Sequence, residues 1–378
     1  MKIVYIINSL RKAGPVIVLK RLLDGLDKYK PEIHIIKLAD DEKERSMTSE
    51  FRKMDLTIHE FHLSKLQLEI NTNNIAARID SILETIKPDL IHTHGYHPVL
   101  LASRLNYKCP KIETLHNICG EDFIYSKGKI LGRYMVNRYL KSLNKLSGAV
   151  AISESVRDYY KKFSKLKNID TVYNSIEPYG ITSKETLLNK LGLNPSLKYC
   201  VAVGSLSERK DPITVIRAFS KFKLSHPDEN IQLLFLGKGE LYDECHKEIG
   251  ERNDIKLLGW KPNPLDYIAV SEFSICASHS EGFGLNLAES LSIGCPVVCT
   301  NIKIFDELTK EFNEVKKYQF NPGDVDGLAN SIANIVKERP NFGNEKIRAC
   351  DLFSQERMAD NYMRVYKSYC KSADQKKL

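Results

Sequence analysis

Apolar runs alternate with amphipathic stretches along almost the whole chain. Residues 3–8, 33–38, 89–92, 111–115, 148–152 and about 170–173 are short and mostly apolar, the pattern of strands covered on both faces. Between them, stretches such as 16–28, 74–86 and 97–106 place apolar residues at helical spacing. A second series of strands begins at Tyr199–Val203 and continues at 231–236, 255–258, 273–277 and 296–299, again with helices between. Strand, crossover helix and strand in alternation is the rhythm of a parallel sheet with helices on both faces. The chain therefore predicts an α/β protein of two Rossmann-like, doubly wound domains. Residues 1–177 form the first and 197–353 the second. Residues 178–196, with Pro178, Gly180, Pro195 and a short helix, read as a hinge. A final helix, about 354–370, carries Met358, Tyr362, Val365 and Tyr366 on one face.

Composition narrows the class. The 378 residues are 42% hydrophobic and 28% charged, enough for two cores. No apolar run approaches the roughly 20 residues that span a bilayer, and Met1–Asn8 reads as a first strand rather than a signal segment, so a cytoplasmic protein is expected. Nine cysteines without CxxC spacing fit reduced thiols rather than a disulfide framework or a zinc site. The net charge of +8 lies wholly in residues 1–180, with 29 basic and 21 acidic side chains, while the remainder balances at 27 each. Residues 127–167 hold 11 basic side chains against Glu154 and Asp158, interleaved with Tyr134, Tyr139, Tyr159, Tyr160 and Phe163. That mixture predicts peripheral contact with anionic headgroups on the inner face of the plasma membrane; no nucleic-acid partner is expected.

The most informative stretch is 281–298, EGFGLNLAESLSIGCPVV. It follows a strand, turns through Gly282 and Gly284, and opens a helix whose first N–H groups, about Leu285 to Ala288, point outward at the positive dipole end. That geometry binds anions. Glu281 and Glu289 flank it as acceptors for hydroxyls, which suits the ribose, diphosphate and hexose of a nucleotide-sugar. A second site lies at 201–218, where a strand ends at Gly204 and Arg209 and Lys210 precede the next helix, placed to neutralise a diphosphate.

These segments resemble the nucleotide-sugar signature of the retaining glycosyltransferase family 4: two glutamates seven residues apart around Gly-Phe-Gly, then Gly-x-Pro-Val-Val. The resemblance implies the GT-B fold, with two domains facing a cleft, a final helix crossing back to the first domain, and a surface-polysaccharide role. It further implies that Lys210, six residues beyond Gly204, holds the leaving phosphates. The arginine that commonly follows that glycine is Ser205 here, so its contact is missing or comes from Arg209. By the same resemblance Glu289 holds the ribose, Glu281 and the backbone of Gly282, Phe283, Gly284 and Leu285 hold the hexose, and Asn286 is a further donor contact. His116 sits beside the transferred sugar. Gly14, in a loop where the family has a glycine pair, faces the donor diphosphate, and Lys261, in Gly259-Trp260-Lys261, approaches the base. No cofactor or metal is implied. His92, His94 and His97 are read as a family His-x-His rather than metal ligands, Asp324-Val325-Asp326 as a helix cap, and Gly237-Lys238-Gly239 as a turn.

The expected activity is retaining transfer of a hexose or N-acetylhexosamine, from a UDP-sugar rather than a GDP-sugar, to a lipid-linked glycan. A sugar-nucleotide epimerase or hydrolase, or a noncatalytic nucleotide-sugar sensor, would share the donor pocket.

Overall fold

The computed structural model describes residues 1–180 and 182–374. They form two compact units, one comprising Met1–Ser175 with the segment from Gln355 onward, the other Ile176–Ser354. The first unit is built on a seven-stranded sheet, every ladder of which is parallel. Its strands are β1 (Lys2–Ile7), β2 (Glu32–Lys37), β3 (Thr57–Glu60), β4 (Leu90–His94), β5 (Lys111–Leu115), β6 (Gly148–Ala151) and β7 (Ile169–Thr171), in the order β3-β2-β1-β4-β5-β6-β7. The second unit repeats the plan with β8 (Lys198–Val203), β9 (Ile231–Leu236), β10 (Ile255–Leu257), β11 (Phe273–Cys276), β12 (Val297–Thr300) and β13 (Gln319–Phe320), in the order β10-β9-β8-β11-β12-β13. In each sheet the order reverses once, between β1 and β4 and between β8 and β11. Such a switch point, beyond the C-terminal ends of the two neighbouring strands, is where open α/β sheets take ligands.

The predicted strands form within a residue or two of their expected bounds. Two edge strands, β3 and β13, lie where none was predicted. Their mixed burial explains this: Thr57–Glu60 has no buried residue and Gln319–Phe320 has one. Residues 178–196, expected as a hinge, belong to the second unit. The helix Lys184–Leu191 there is capped by the Ser183 side chain, which accepts from the Thr186 amide, and it buries Leu187 and Leu188 among Tyr199, Val201, Leu234 and Ile268.

The last helix, Gln355–Asp374, completes the first unit. Its Tyr366 hydroxyl lies 2.9 Å from that of Tyr5 and 2.9 Å from Nδ1 of His92, and Tyr362 meets Oγ1 of Thr114 at 3.1 Å. All five side chains are buried, so three strands and the helix share one polar seam inside an apolar core.

Two sequence details resolve as local structure. Asp324 caps the helix Val325–Glu338 by accepting from the Gly327 amide at 2.8 Å, and Asp326 pairs with Lys221 on the surface. Gly237 is required by close approach: a Cβ there would lie 1.7 Å from the Gly204 carbonyl oxygen. The loop after β9 thus rests directly on the loop after β8.

Candidate functional site

Within the second unit the loops after β8 and β11 are joined at several points. Beyond Val203 the chain passes Gly204 and enters the short turn Glu208–Lys210; Asp211 then caps the helix Pro212–Ser225, its carboxylate accepting from the Thr214 amide at 3.1 Å. Beyond Cys276 the other loop runs alongside. The His279 amide donates to the Arg209 carbonyl at 2.9 Å, and the His279 ring meets Asp211 at 3.0 Å. Arg209 donates to the Ser280 carbonyl at 2.8 Å and to Glu281 at 3.1 Å. Lys210 forms an ion pair with the other oxygen of Glu281, which also accepts from Ser278 at 2.9 Å. Burial alone would raise the Glu281 carboxyl, but the charges of Lys210 and then Arg209 outweigh it and hold the group below the ordinary carboxylate range.

The helix Leu285–Ile293 starts beside this ion pair. Gly284 precedes it at φ +88, and a Cβ there would lie 2.5 Å from the Phe305 ring, so both conformation and space require glycine. The first N–H groups of a helix have no partner inside it, and at this end Gly284 and Asn286 line the same pocket. Of the predicted donor residues, Gly204, Lys210, Glu281, Gly284 and Asn286 line that pocket together, and Arg209 reaches it through Glu281. Asn286 also ties the helix back to β8 by donating to the Val203 carbonyl. Glu289 is buried on the same helix, about one turn beyond its start, and Leu285 is half-buried at that start.

Other predicted residues lie elsewhere. Phe283 turns its ring into the core, edge-on to Phe353 at 5.6 Å, so it can offer a ligand only its backbone, as can buried Gly282. Lys261, past the turn at Gly259, is half-buried and does not line the pocket. Gly14 opens the helix Gly14–Leu26 of the first unit, and its neighbours Ala13 and Pro15 line a different chamber, about 260 Å³, wholly within that unit.

His116 lines this second chamber. Its Nε2 lies 2.9 Å from Nδ1 of His94. Burial pushes His116 down to about 4; burial, with the nearby His116, pushes His92 to about 3, and burial with both neighbours lowers His94 as well. The three rings are neutral at ordinary pH. Among the described residues they form no metal cluster: His92 is held by Tyr366 and by Thr114 at 2.7 Å, and His97 pairs with Glu69 at 2.9 Å.

One residue of this chamber was not singled out from the sequence. Glu113 is fully buried, its Oε1 accepting from the Gly95 amide at 2.9 Å and from the Tyr139 hydroxyl at 3.0 Å, its Oε2 against Thr93. Desolvation raises its carboxyl well above the usual range, only partly offset by these contacts. The Thr93 hydroxyl, with one proton to give, lies within donating reach of both the Ile112 carbonyl and Glu113. An acid at the centre of a predicted strand was the available signal.

Comparison with known proteins identifies the family and the fold. Residues 13–178 match glycosyltransferase family 4, and residues 183–349 match glycosyl transferases group 1. N-acetylgalactosamine-N,N'-diacetylbacillosaminyl-diphospho-undecaprenol 4-alpha-N-acetylgalactosaminyltransferase of Campylobacter jejuni is 34% identical over 176 residues, 45% of this chain and 46% of that protein. O-antigen biosynthesis glycosyltransferase WclY of Escherichia coli is 26% identical over 390 residues, covering 97% and 98%. In fold, the chain is similar to Anabaena Alr3699/HepE in complex with UDP, with a TM-score of 0.80 at 16% identity over 97% of this chain and 100% of that one. The chain belongs to the family 4 type of glycosyltransferases and has the GT-B fold.

Proposed function

We propose that this glycosyltransferase moves a hexose or N-acetylhexosamine from a UDP-sugar to a lipid-linked glycan, with retention, during surface-polysaccharide assembly. The observation that carries the reading is the anion-ready pocket of the second unit: Lys210 and Arg209 on one loop, the amide end of Leu285–Ile293 on the other. In the reaction the bond between the anomeric carbon and the β-phosphate oxygen breaks, and negative charge grows on the departing UDP. Preorganised cations and N–H groups stabilise that charge more than they stabilise the intact donor, with no divalent metal called for. The acceptor hydroxyl attacks from the face the phosphate leaves, and its proton passes to the phosphate oxygen. Glu289 takes the ribose hydroxyls, Glu281 the hexose, Lys261 the base, Gly14 a donor-side contact, and neutral His116 the region of the transferred sugar.

The UDP preference draws support from the relative solved with UDP, and the lipid-linked acceptor from the Campylobacter relative's undecaprenol-linked substrate. Among the described residues no helix is long and apolar enough to cross a membrane. Peripheral contact at the inner face of the plasma membrane fits the exposed Ile130, Leu131 and Tyr134, which share one helix with the exposed Lys129 and Arg133. Of the aromatics expected at that surface, Tyr139 and Tyr160 are instead buried in the first unit.

Donor turnover with and without acceptor tests the reading. Release of UDP from a UDP-hexose that depends on an undecaprenyl-diphosphate glycan supports it. Turnover without acceptor indicates an epimerase or hydrolase, and binding without turnover a sensor; either result overturns it.

A further inference from the structure

The turn that carries Arg209 and Lys210 is held by a residue that does not itself line the donor pocket. His279 follows β11, in the loop that leads to Glu281. Its backbone amide donates to the Arg209 carbonyl at 2.9 Å, and Nε2 of its ring lies 3.0 Å from Oδ2 of Asp211. Lys210 is the residue between those two points. A carboxylate only accepts, so the ring carries its hydrogen on Nε2 and donates. His279 thus grips the turn on both sides of the lysine, whose ammonium is committed forward to Glu281.

The grip is backed on each side. Asp211 sits in the left-handed region at φ +47, uncommon for any residue but glycine, and its other oxygen caps the helix Pro212–Ser225 through the Thr214 amide. One carboxylate therefore joins the turn, the helix and the imidazole. Its side chain is only 13% exposed, so the bond to His279 is partly shielded from water. Behind the ring, Cε1 of His279 lies against the loop after β13, where a Cβ at Gly323 would meet it at 3.7 Å. The preceding residue is anchored to β12 by a buried bond, Oγ1 of Thr300 donating to the Ser278 carbonyl at 2.8 Å. Arg209 already ties the two loops through the Ser280 carbonyl. What the imidazole adds is a fixed Asp211, and with it a fixed backbone from which the Lys210 side chain projects. A flexible four-carbon stem delivers its charge to one place only when its root does not move.

We propose that His279 is a positioning residue for the donor diphosphate: through Asp211 and the Arg209 carbonyl it fixes the backbone of Lys210, so that the ammonium is in place before the phosphates arrive. The inference rests on the donor-pocket reading above and concerns the phosphates, not the base or the ribose.

Calorimetric titration with UDP and ligand-observed NMR with uridine test it, because uridine has the base and ribose but no phosphate. His279→Ala weakens UDP binding roughly tenfold, one hydrogen bond's worth, and leaves uridine binding unchanged. His279→Gln keeps an amide N–H near the place of Nε2 and binds UDP within about twofold of the wild type. His279→Asn, whose amide stops short of Asp211, behaves as the alanine variant does and serves if that variant does not fold. In a Lys210→Ala background, His279→Ala costs far less UDP affinity, since the lysine it positions is gone. Parallel losses of UDP and uridine, a glutamine variant as weak as alanine, an undiminished loss without Lys210, or full UDP affinity in the alanine and asparagine variants overturns the proposal. Failure of the wild type to bind UDP refutes the donor reading and this inference with it, whereas UDP binding with any of those results refutes only the role of His279.

Discussion

Lys210 and Glu281 form an ion pair that joins the loop after β8 to the loop after β11, with Arg209 on the second carboxylate oxygen. The carboxylate occupies a position from which it organises two cations before any phosphate arrives. Removing it leaves those cations uncompensated, at a cost of roughly 3 kcal/mol, the low end for a pair that keeps some solvent. Glu281→Ala therefore lowers stability in urea and abolishes transfer, and UDP stabilises this variant more than it does the wild type because the diphosphate supplies the missing anion. Lys210→Ala loses both transfer and most of the UDP-induced shift. Identical thermal shifts with UDP in all three proteins would sink this account.

Gly237 bears on the same site from behind. Its missing side chain lets the loop after β9 support the Gly204 carbonyl. Gly237→Ala forces that loop toward the pocket, and we expect a loss of roughly 2–3 kcal/mol together with weaker UDP binding. Calorimetric titration of a variant that keeps wild-type affinity would show that the two loops move independently.

Glu113 predicts a stabilising substitution. Its folded carboxyl titrates above the unfolded value, so its contribution is fully present at low pH and is lost as pH rises through the unfolded range toward the folded one. Glu113→Gln keeps an acceptor for Gly95 and Tyr139 and a donor for Thr93 without the proton. The melting temperature of the variant should exceed that of the wild type by an amount that grows with pH above about 4.5. A difference independent of pH would mean the native carboxyl is ionised.

The histidines act in the opposite direction. His116 titrates near 4 when folded and His92 near 3, against 6.5 when free. Between these limits the unfolded chain binds protons that the native one refuses, and stability falls as pH falls from about 6.5 toward 4. For His116 alone the effect is on the order of 3 kcal/mol. His116→Gln should flatten the dependence of unfolding free energy on pH in that window; an unchanged slope would show that the folded ring titrates no lower than the unfolded one.

At the proposed membrane surface, Ile130→Glu and Lys129→Glu should reduce flotation with anionic vesicles severalfold while leaving UDP binding intact. Equal flotation of both variants and the wild type would remove this helix from the membrane contact.

The strand series and both sheets were legible because buried parallel strands are continuous apolar runs. Thr57–Glu60 and Gln319–Phe320 were not, since an edge strand with solvent on one side has no such run. That Lys210, Glu281 and Gly284 share one pocket could be read because the motif is contiguous in two short segments. The side of Phe283 could not be read from its neighbours, and its ring went to Phe353. Tyr139 and Tyr160 were counted among surface aromatics since they alternate with lysines, yet helical geometry turns them inward. Asn8, His94 and Glu113 come together only when β1, β4 and β5 lie side by side, a relation that spacing along the chain does not express.

The docking of Tyr362 and Tyr366 onto Tyr5, His92 and Thr114 has a bearing on biosynthesis. A ribosome releases the whole second unit before it releases the helix that seals the first. Until then the first sheet carries an open seam of hydroxyls and imidazoles, so the half made earliest is the half that finishes folding last.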